Sequence, residues 1–85
     1  MKEIIFEKVA MKDLIEWKKL DELIYQKIVK LIKDIKVNPF KGIGKPEPLK
    51  YNNQGYWSRR ITKEHRLVYK ITNDSINIVS CKFHY

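Results

Sequence analysis

The sequence predicts an α+β fold in which two N-terminal helices cover one face of an antiparallel sheet. Three observations predict it. Within residues 21–36, Ile24, Ile28, Leu31 and Ile35 recur at helical spacing and form one apolar stripe. Residues 56–83 alternate apolar and polar side chains through three short runs, the pattern of half-buried strands in a meander. Between them, residues 38–55 hold all three prolines and all three glycines, which punctuate the chain too often for a long helix or a central strand.

The elements follow in order. Lys2 to Phe6 reads as a short first strand. From about Val9 a helical pattern begins, with Met11, Leu14, Ile15 and Trp17 at mixed three- and four-residue spacings. It breaks near Lys19-Leu20-Asp21. Asp21 suits an N-cap, and Glu22 then lies in the first turn near the positive end of the next helix dipole. In that second helix Leu23 and Ile32 widen the apolar stripe. Lys27, Lys30 and Lys33 occupy other faces, either as a solvated surface or as a ridge that contacts RNA. The two helices form an α-hairpin able to cover a sheet. Asn38-Pro39 ends the second one, because a residue before proline avoids the α region.

The segment from Asn38 to Gly55 is a loop of about 18 residues, long for a compact domain, and such loops tend to be functional or disordered. Phe40, Ile43, Leu49 and Tyr51 give it apolar anchors, which favours order. In the meander, a three-residue loop Lys63-Glu64-His65 pairs Thr62 with Arg66. That register sets Ile61, Leu67, Tyr69 and Ile71 on one face and Arg60, Arg66 and Val68 on the other. Asn73-Asp74 suits a type I′ turn and adds Ile76 and Ile78 to the apolar face. The helices then cover the Leu67/Tyr69/Ile78 face, leaving Arg60 and Arg66 on the opposite one. By parity Tyr85 joins the arginines and His84 does not, unless a bulge intervenes. A chain that stops on His84-Tyr85, at the end of a predicted strand, suggests that this pair is used. The alternative is an aromatic pair that tidies a sheet edge.

Size and charge bound the function. Eighty-five residues suffice for one small domain, taken here as 1–85, with one modest core. With 18 Lys+Arg against 10 Asp+Glu the net charge is +8, a balance that suits nucleic acid or an acidic protein. No apolar run approaches the roughly 20 residues that span a bilayer, so no membrane role is expected. Ile4-Ile5-Phe6 is too short for a signal-peptide core. The single Cys81 excludes a disulfide framework and reads as a small buried hydrophobe, consistent with a reducing cytoplasm. No cofactor and no metal are expected, since there is no HExxH and no Cys/His cluster. Gly42-Ile43-Gly44-Lys45 lacks the spacing of a phosphate-binding loop, and Pro46 and Pro48 stand where its helix would start. Ser58 has no base or orienting group nearby in sequence to make it a nucleophile.

What remains is a carboxylate in a basic loop (Glu47), the cations Lys45, Lys50, Arg60 and Arg66, and His84-Tyr85. That inventory suits RNA cleavage by the RNA's own 2′-hydroxyl. The reaction needs a base for the hydroxyl, positive charge for the phosphorane and an acid for the departing 5′-oxygen. Each residue also has a plain reading. Glu47 fits a solvated loop carboxylate, Arg66 a surface arginine, and His65 a turn residue. Trp17 and Trp57 fit core or interface anchors better than stacking platforms.

The stretches Trp57-Ser58-Arg59-Arg60-Ile61-Thr62 and Glu64-His65-Arg66-Leu67-Val68-Tyr69, the closing His84-Tyr85, and upstream Asn38-Pro39-Phe40-Lys41-Gly42-Ile43-Gly44-Lys45-Pro46-Glu47-Pro48-Leu49-Lys50 resemble the YoeB toxins of the RelE superfamily, over essentially the whole chain. The resemblance implies a toxin of a bacterial toxin–antitoxin pair that enters the ribosomal A site and cuts mRNA there. It implies two helices on a twisted antiparallel sheet, similar to the microbial ribonucleases. Glu47 matches the family's general base, His84 its general acid, and Arg66 the arginine at the scissile phosphate. Arg60 and Lys50 match RNA-contacting positions, Lys45 adds charge beside them, and Tyr85 matches a tyrosine that positions substrate. Homodimers and an acidic, YefM-like antitoxin whose C-terminal segment wraps the toxin are the partners implied. A catalytically weak ribosome- or RNA-binding module, or a co-repressor that grips an acidic partner, is the competing reading.

Overall fold

The computed structural model describes residues 2–49 and 55–83. The elements run β1 (Glu3–Phe6), α1 (Lys8–Leu20), α2 (Glu22–Val37), β2 (Glu47–Pro48), β3 (Tyr56–Arg60), β4 (Arg66–Ile71) and β5 (Ser75–Ser80). The strands form one sheet in the order β1-β5-β4-β3-β2. β2 to β5 pair antiparallel, as the alternation predicts. β1 departs from the antiparallel expectation and lies parallel to β5, with Glu3 opposite Ser75 and Phe6 opposite Ile78. A parallel pair needs a long connection between its strands, and nearly the whole chain, both helices included, separates these two.

Asp21 caps α2, its carboxylate accepting the Leu23 and Ile24 amides at 3.1 and 3.3 Å. Ile28, Leu31 and Ile35 are fully buried, each contributing about 1.5–3 kcal/mol by removal from water. Leu23 does not widen that stripe and is 77% exposed. One residue is about 100° of helical rotation, enough to carry it off the sheet-facing side. The core joins Ala10, Trp17, Ile28, Leu31 and Ile35 to Ile61, Leu67, Tyr69, Ile76, Ile78 and Cys81. The helices therefore cover the Leu67/Tyr69/Ile78 face, as the pattern requires. Trp17 is a core anchor, with its indole N–H donating to the Cys81 carbonyl at 2.8 Å.

The hairpins differ from expectation in detail. Arg66 lies opposite Arg60 rather than Thr62. The intervening loop closes because the His65 carbonyl accepts both the Ile61 and Thr62 amides, while Thr62 Oγ1 accepts the Glu64 and His65 amides. Ile61 is thereby turned into the core. A slip of two residues leaves the faces unchanged: Trp57 and Arg59 share the helix-covered side with Tyr69 and Leu67, and Ser58 and Arg60 share the outer side with Val68 and Arg66. At residues 73–74 the two-residue connection holds, but the turn is not type I′. Among the described non-glycine residues only Lys45 and Phe83 have positive φ. The Thr72 hydroxyl closes the turn instead, accepting the Ser75 amide at 3.0 Å. Further along, Tyr69 faces Ile78 and Val68 faces Ser80, so Val79 is an extra residue and the strand bulges. The bulge exchanges the faces beyond it and turns Cys81 inward against α1, its Sγ 3.7 Å from the Ala10 carbonyl.

Two of the long loop's expected apolar anchors are in place: Phe40 packs edge-on against Trp57 with centroids 5.2 Å apart, and Leu49 is half-buried. Ile43 is 40% exposed, and Tyr51 lies outside the described residues. Arg59, fully buried, is the deeper anchor. Its guanidinium donates to Asp34 Oδ2, to the Ile43, Asn38 and Lys41 carbonyls and to the Tyr69 hydroxyl. The Tyr69 hydroxyl in turn donates a hydrogen bond to the Pro39 carbonyl at 2.7 Å. Backbone carbonyls that helix or sheet would otherwise pair are gathered here on one side chain. Gly42 is part of the enclosure: at φ 135°, a Cβ there would lie 1.9 Å from Asp34 Oδ2. The loop so fixed delivers β2, and with it Glu47, to the sheet.

Candidate active site

β2 places Glu47 opposite Ser58, and Ser58 lies opposite Val68 on β4. Glu47, Ser58 and Arg66 therefore share the outer face, although a long loop separates Glu47 from the arginine in sequence. Arg66 Nη1 donates to Ser58 Oγ at 3.3 Å and lies 3.8 Å from Glu47 Oε1. Ser58 is 2% exposed and serves to orient the guanidinium. Glu47, at 59% side-chain exposure, remains open to solvent while Arg66 is at 21%. A carboxylate and a fixed cation thus sit side by side, an arrangement able to take a proton near a phosphate and to hold the charge that develops on it.

The chain approaching His84 is tied to the same place. The Arg66 amide donates to the Phe83 carbonyl at 3.1 Å, and the Phe83 amide donates to His65 Nδ1 at 2.8 Å. His84, Tyr85 and Lys50 lie outside the described residues. The parity that sets His84 apart from the arginines presumes an unbroken strand, and the bulge at Val79 removes that premise.

Arg60 lies opposite Arg66 on the sheet, at the edge of a further groove. With Lys45 and with Lys27 and Lys30 of α2 it lines that groove of about 560 Å³, which Leu23, Leu31 and Ile43 make apolar within. The Arg60 amide donates to the Gly44 carbonyl. Gly44, at φ 79°, permits this close approach, since a Cβ would stand 2.8 Å from Leu31 Cδ2. Two lysines that read equally as solvated surface therefore belong to a cationic groove.

Comparison with known proteins decides the family. A family model described as the YoeB-like toxin of bacterial type II toxin–antitoxin systems matches residues 6–85. The chain belongs to that family. Toxin YoeB of Escherichia coli K12 is 51% identical over 82 residues, covering 96% of this chain and 98% of that protein. Among solved structures, a YoeB dimer from Staphylococcus aureus superposes with a TM-score of 0.90 at 46% identity, covering 99% and 98% of the two chains. The toxin in a heterotetrameric YoeB–YefM complex from the same organism gives 0.86 at 45% identity, covering 100% and 99%.

In this YoeB-family chain, sequence reasoning missed three side chains around the site. Ser58 orients Arg66, His65 holds Phe83, and Arg59 fastens the loop that carries Glu47. The parity of Arg59 with Trp57 and Ile61 was the available signal for its inward direction. The groups with displaced titrations stand behind the site. The Arg59 hydrogen bond, then the Ile43 amide, holds the Asp34 carboxyl below its ordinary value. Burial raises the Tyr69 phenol. Burial, reinforced by the Asp13 carboxylate, pushes the Cys81 thiol up to about 12, which leaves it a neutral core group.

Proposed function

We propose that this YoeB-family chain cuts mRNA in the ribosomal A site, in the cytoplasm, by attack of the RNA's 2′-hydroxyl, and that residues 1–85 act as one toxin domain. Glu47 takes the 2′-hydroxyl proton and the O2′ attacks phosphorus. Arg66 stabilises the charge on the phosphorane. The P–O5′ bond breaks as His84 protonates the leaving oxygen, leaving a 2′,3′-cyclic phosphate and a 5′-hydroxyl. Tyr85 positions the substrate, and Lys45, Lys50 and Arg60 grip the RNA. No metal takes part in this scheme. The observation that carries the reading is the 3.8 Å approach of Arg66 to Glu47, with Phe83, the neighbour of His84, bound to the Arg66 amide.

The partners follow from the same reading. The YoeB–YefM complex and the YoeB dimer of S. aureus support an antitoxin and a homodimer here as well. An acidic, amphipathic antitoxin segment suits the groove at Lys27, Lys30, Lys45 and Arg60, whose floor is apolar and whose rim is cationic.

A programmed ribosome carrying a message with one 2′-deoxy nucleotide 5′ to the cut tests the chemistry. That message is predicted to stay intact, because the hydroxyl is the nucleophile, and normal cleavage would rule the scheme out. In single-turnover reactions Glu47→Ala should slow cleavage by about 10²–10⁴-fold. A wild-type rate in that variant would remove Glu47 from the mechanism.

A further inference from the structure

We propose that His65 is a positioning residue for this reaction: its Nδ1 latches the Phe83 amide and so fixes the course of the chain at Phe83, beside Arg66 and one residue before the proposed acid. The inference rests on the nuclease reading above. The hydrogen bond to Nδ1 is 2.8 Å long, well within the normal range. Accepting it requires the neutral imidazole with its proton on Nε2. The ring is held from two sides, edge-on to Trp17 with centroids 4.7 Å apart and tilted against Phe83 at 5.2 Å. Its backbone is held as well: the carbonyl accepts the Ile61 and Thr62 amides, and the amide donates to Thr62 Oγ1.

The latch is the last of a series. The Cys81 amide donates to Asp13 Oδ2 at 3.1 Å and the Cys81 carbonyl accepts from Trp17. The Lys82 ammonium pairs with Glu16 at 3.4 Å. Phe83 is then bound on both sides of its α-carbon, to His65 and to the Arg66 amide. Its ring rests on His65 but is 61% exposed, so the backbone is held more firmly than the side chain. Phe83 also has φ 62°, in the left-handed region that a bulky residue rarely enters without restraint. This restraint sits one residue before the proposed acid. A displacement there would move the acid relative to the 5′-oxygen, and misplacements of about 1 Å cost on the order of 10²-fold in rate.

Two substitutions separate a latch from simple packing. His65→Phe keeps a ring between Trp17 and Phe83 and removes the acceptor. His65→Asn restores an acceptor oxygen and removes the ring. On programmed ribosomes kcat should fall on the order of 10²-fold in His65→Phe, with KM and melting temperature kept and part of the rate recovered in His65→Asn. Wild-type kcat in His65→Phe overturns the proposal. So does a loss that follows a lowered melting temperature and is not recovered by Asn. Exchange of the Phe83 amide, followed by NMR, reads the latch without reference to activity. It should be protected in the wild type and fast in His65→Phe, and an unprotected wild-type amide overturns the latch even if neither variant folds. A wild-type chain that cuts no RNA would instead sink the nuclease reading, leaving amide exchange to judge the His65–Phe83 bond alone.

Discussion

Arg59 and Arg66 lie on neighbouring strands and on opposite faces of one sheet. Arg59, opposite Leu67, is fully buried, and all five of its N–H donors are taken by named oxygens. Arg66, opposite Arg60, is partly exposed. Among the described residues its guanidinium is engaged through Nη1 alone, by a serine hydroxyl and a loosely placed carboxylate. A guanidinium saturated by its own protein has nothing left to offer a phosphate and acts as a fastener. One held in place but sparsely engaged keeps donors for a ligand. The same residue type thus serves order on one face and keeps free donors on the other, and the number of donors already used marks the difference.

The largest effect should come from breaking the saturated member. Arg59→Met is predicted to cost about 3–5 kcal/mol, because three loop carbonyls and the Tyr69 hydroxyl lose a buried donor and each such group left unpaired costs about 1–3 kcal/mol; Asp34, partly exposed, adds less. Arg66→Ala should change stability by less than about 1 kcal/mol while slowing single-turnover cleavage on the order of 10²–10³-fold. Urea unfolding and ribosome-programmed cleavage of the two variants would show this crossing, and equal stability losses would dissolve the contrast. A smaller effect is expected from Gly42→Ala, about 1–3 kcal/mol, since the new methyl group must displace the Asp34 carboxylate from Arg59. Its activity per folded molecule should stay near that of the wild type.

Acid titration sharpens the comparison most gently. The Asp34 carboxyl is held below its ordinary value of 3.8 by Arg59. Its contribution is therefore complete above pH 3.8 and is lost as pH falls from there through the lower folded value. Urea midpoints measured from pH 6 to pH 2 should decline more steeply for the wild type than for Asp34→Asn over that acid window. Parallel curves would mean that the carboxylate contributes nothing through its charge.

Much of the scaffold was legible because it depends on periodicity. The Ile28/Leu31/Ile35 stripe, the Asp21 cap and the two faces of the meander follow from spacing alone. The rest depends on contacts between residues distant in sequence. Arg59 faces inward by simple alternation, yet a charge inside is unexpected until its partners on the 38–43 loop are seen. The bulge at Val79 leaves no mark in the sequence, since Val-Ser-Cys continues a plausible strand, and it removes the unbroken strand on which the parity argument for His84 depends. Glu47 and Arg66 become neighbours through a two-residue strand too short to announce itself. His65 looked like a turn residue and is one, but its ring is also occupied by a residue eighteen positions away.

The pairing of β1 with β5 has a consequence for how the molecule comes into being. A ribosome makes residues 3–6 well before residues 75–80, yet these strands pair side by side. Trp17 and Asp13 likewise wait for Cys81. Pairings this distant along the chain are late events in folding, and no vectorial, piece-by-piece assembly can complete this sheet. The sheet therefore stays unfinished until residues 75–80 have been made, long after its first strand.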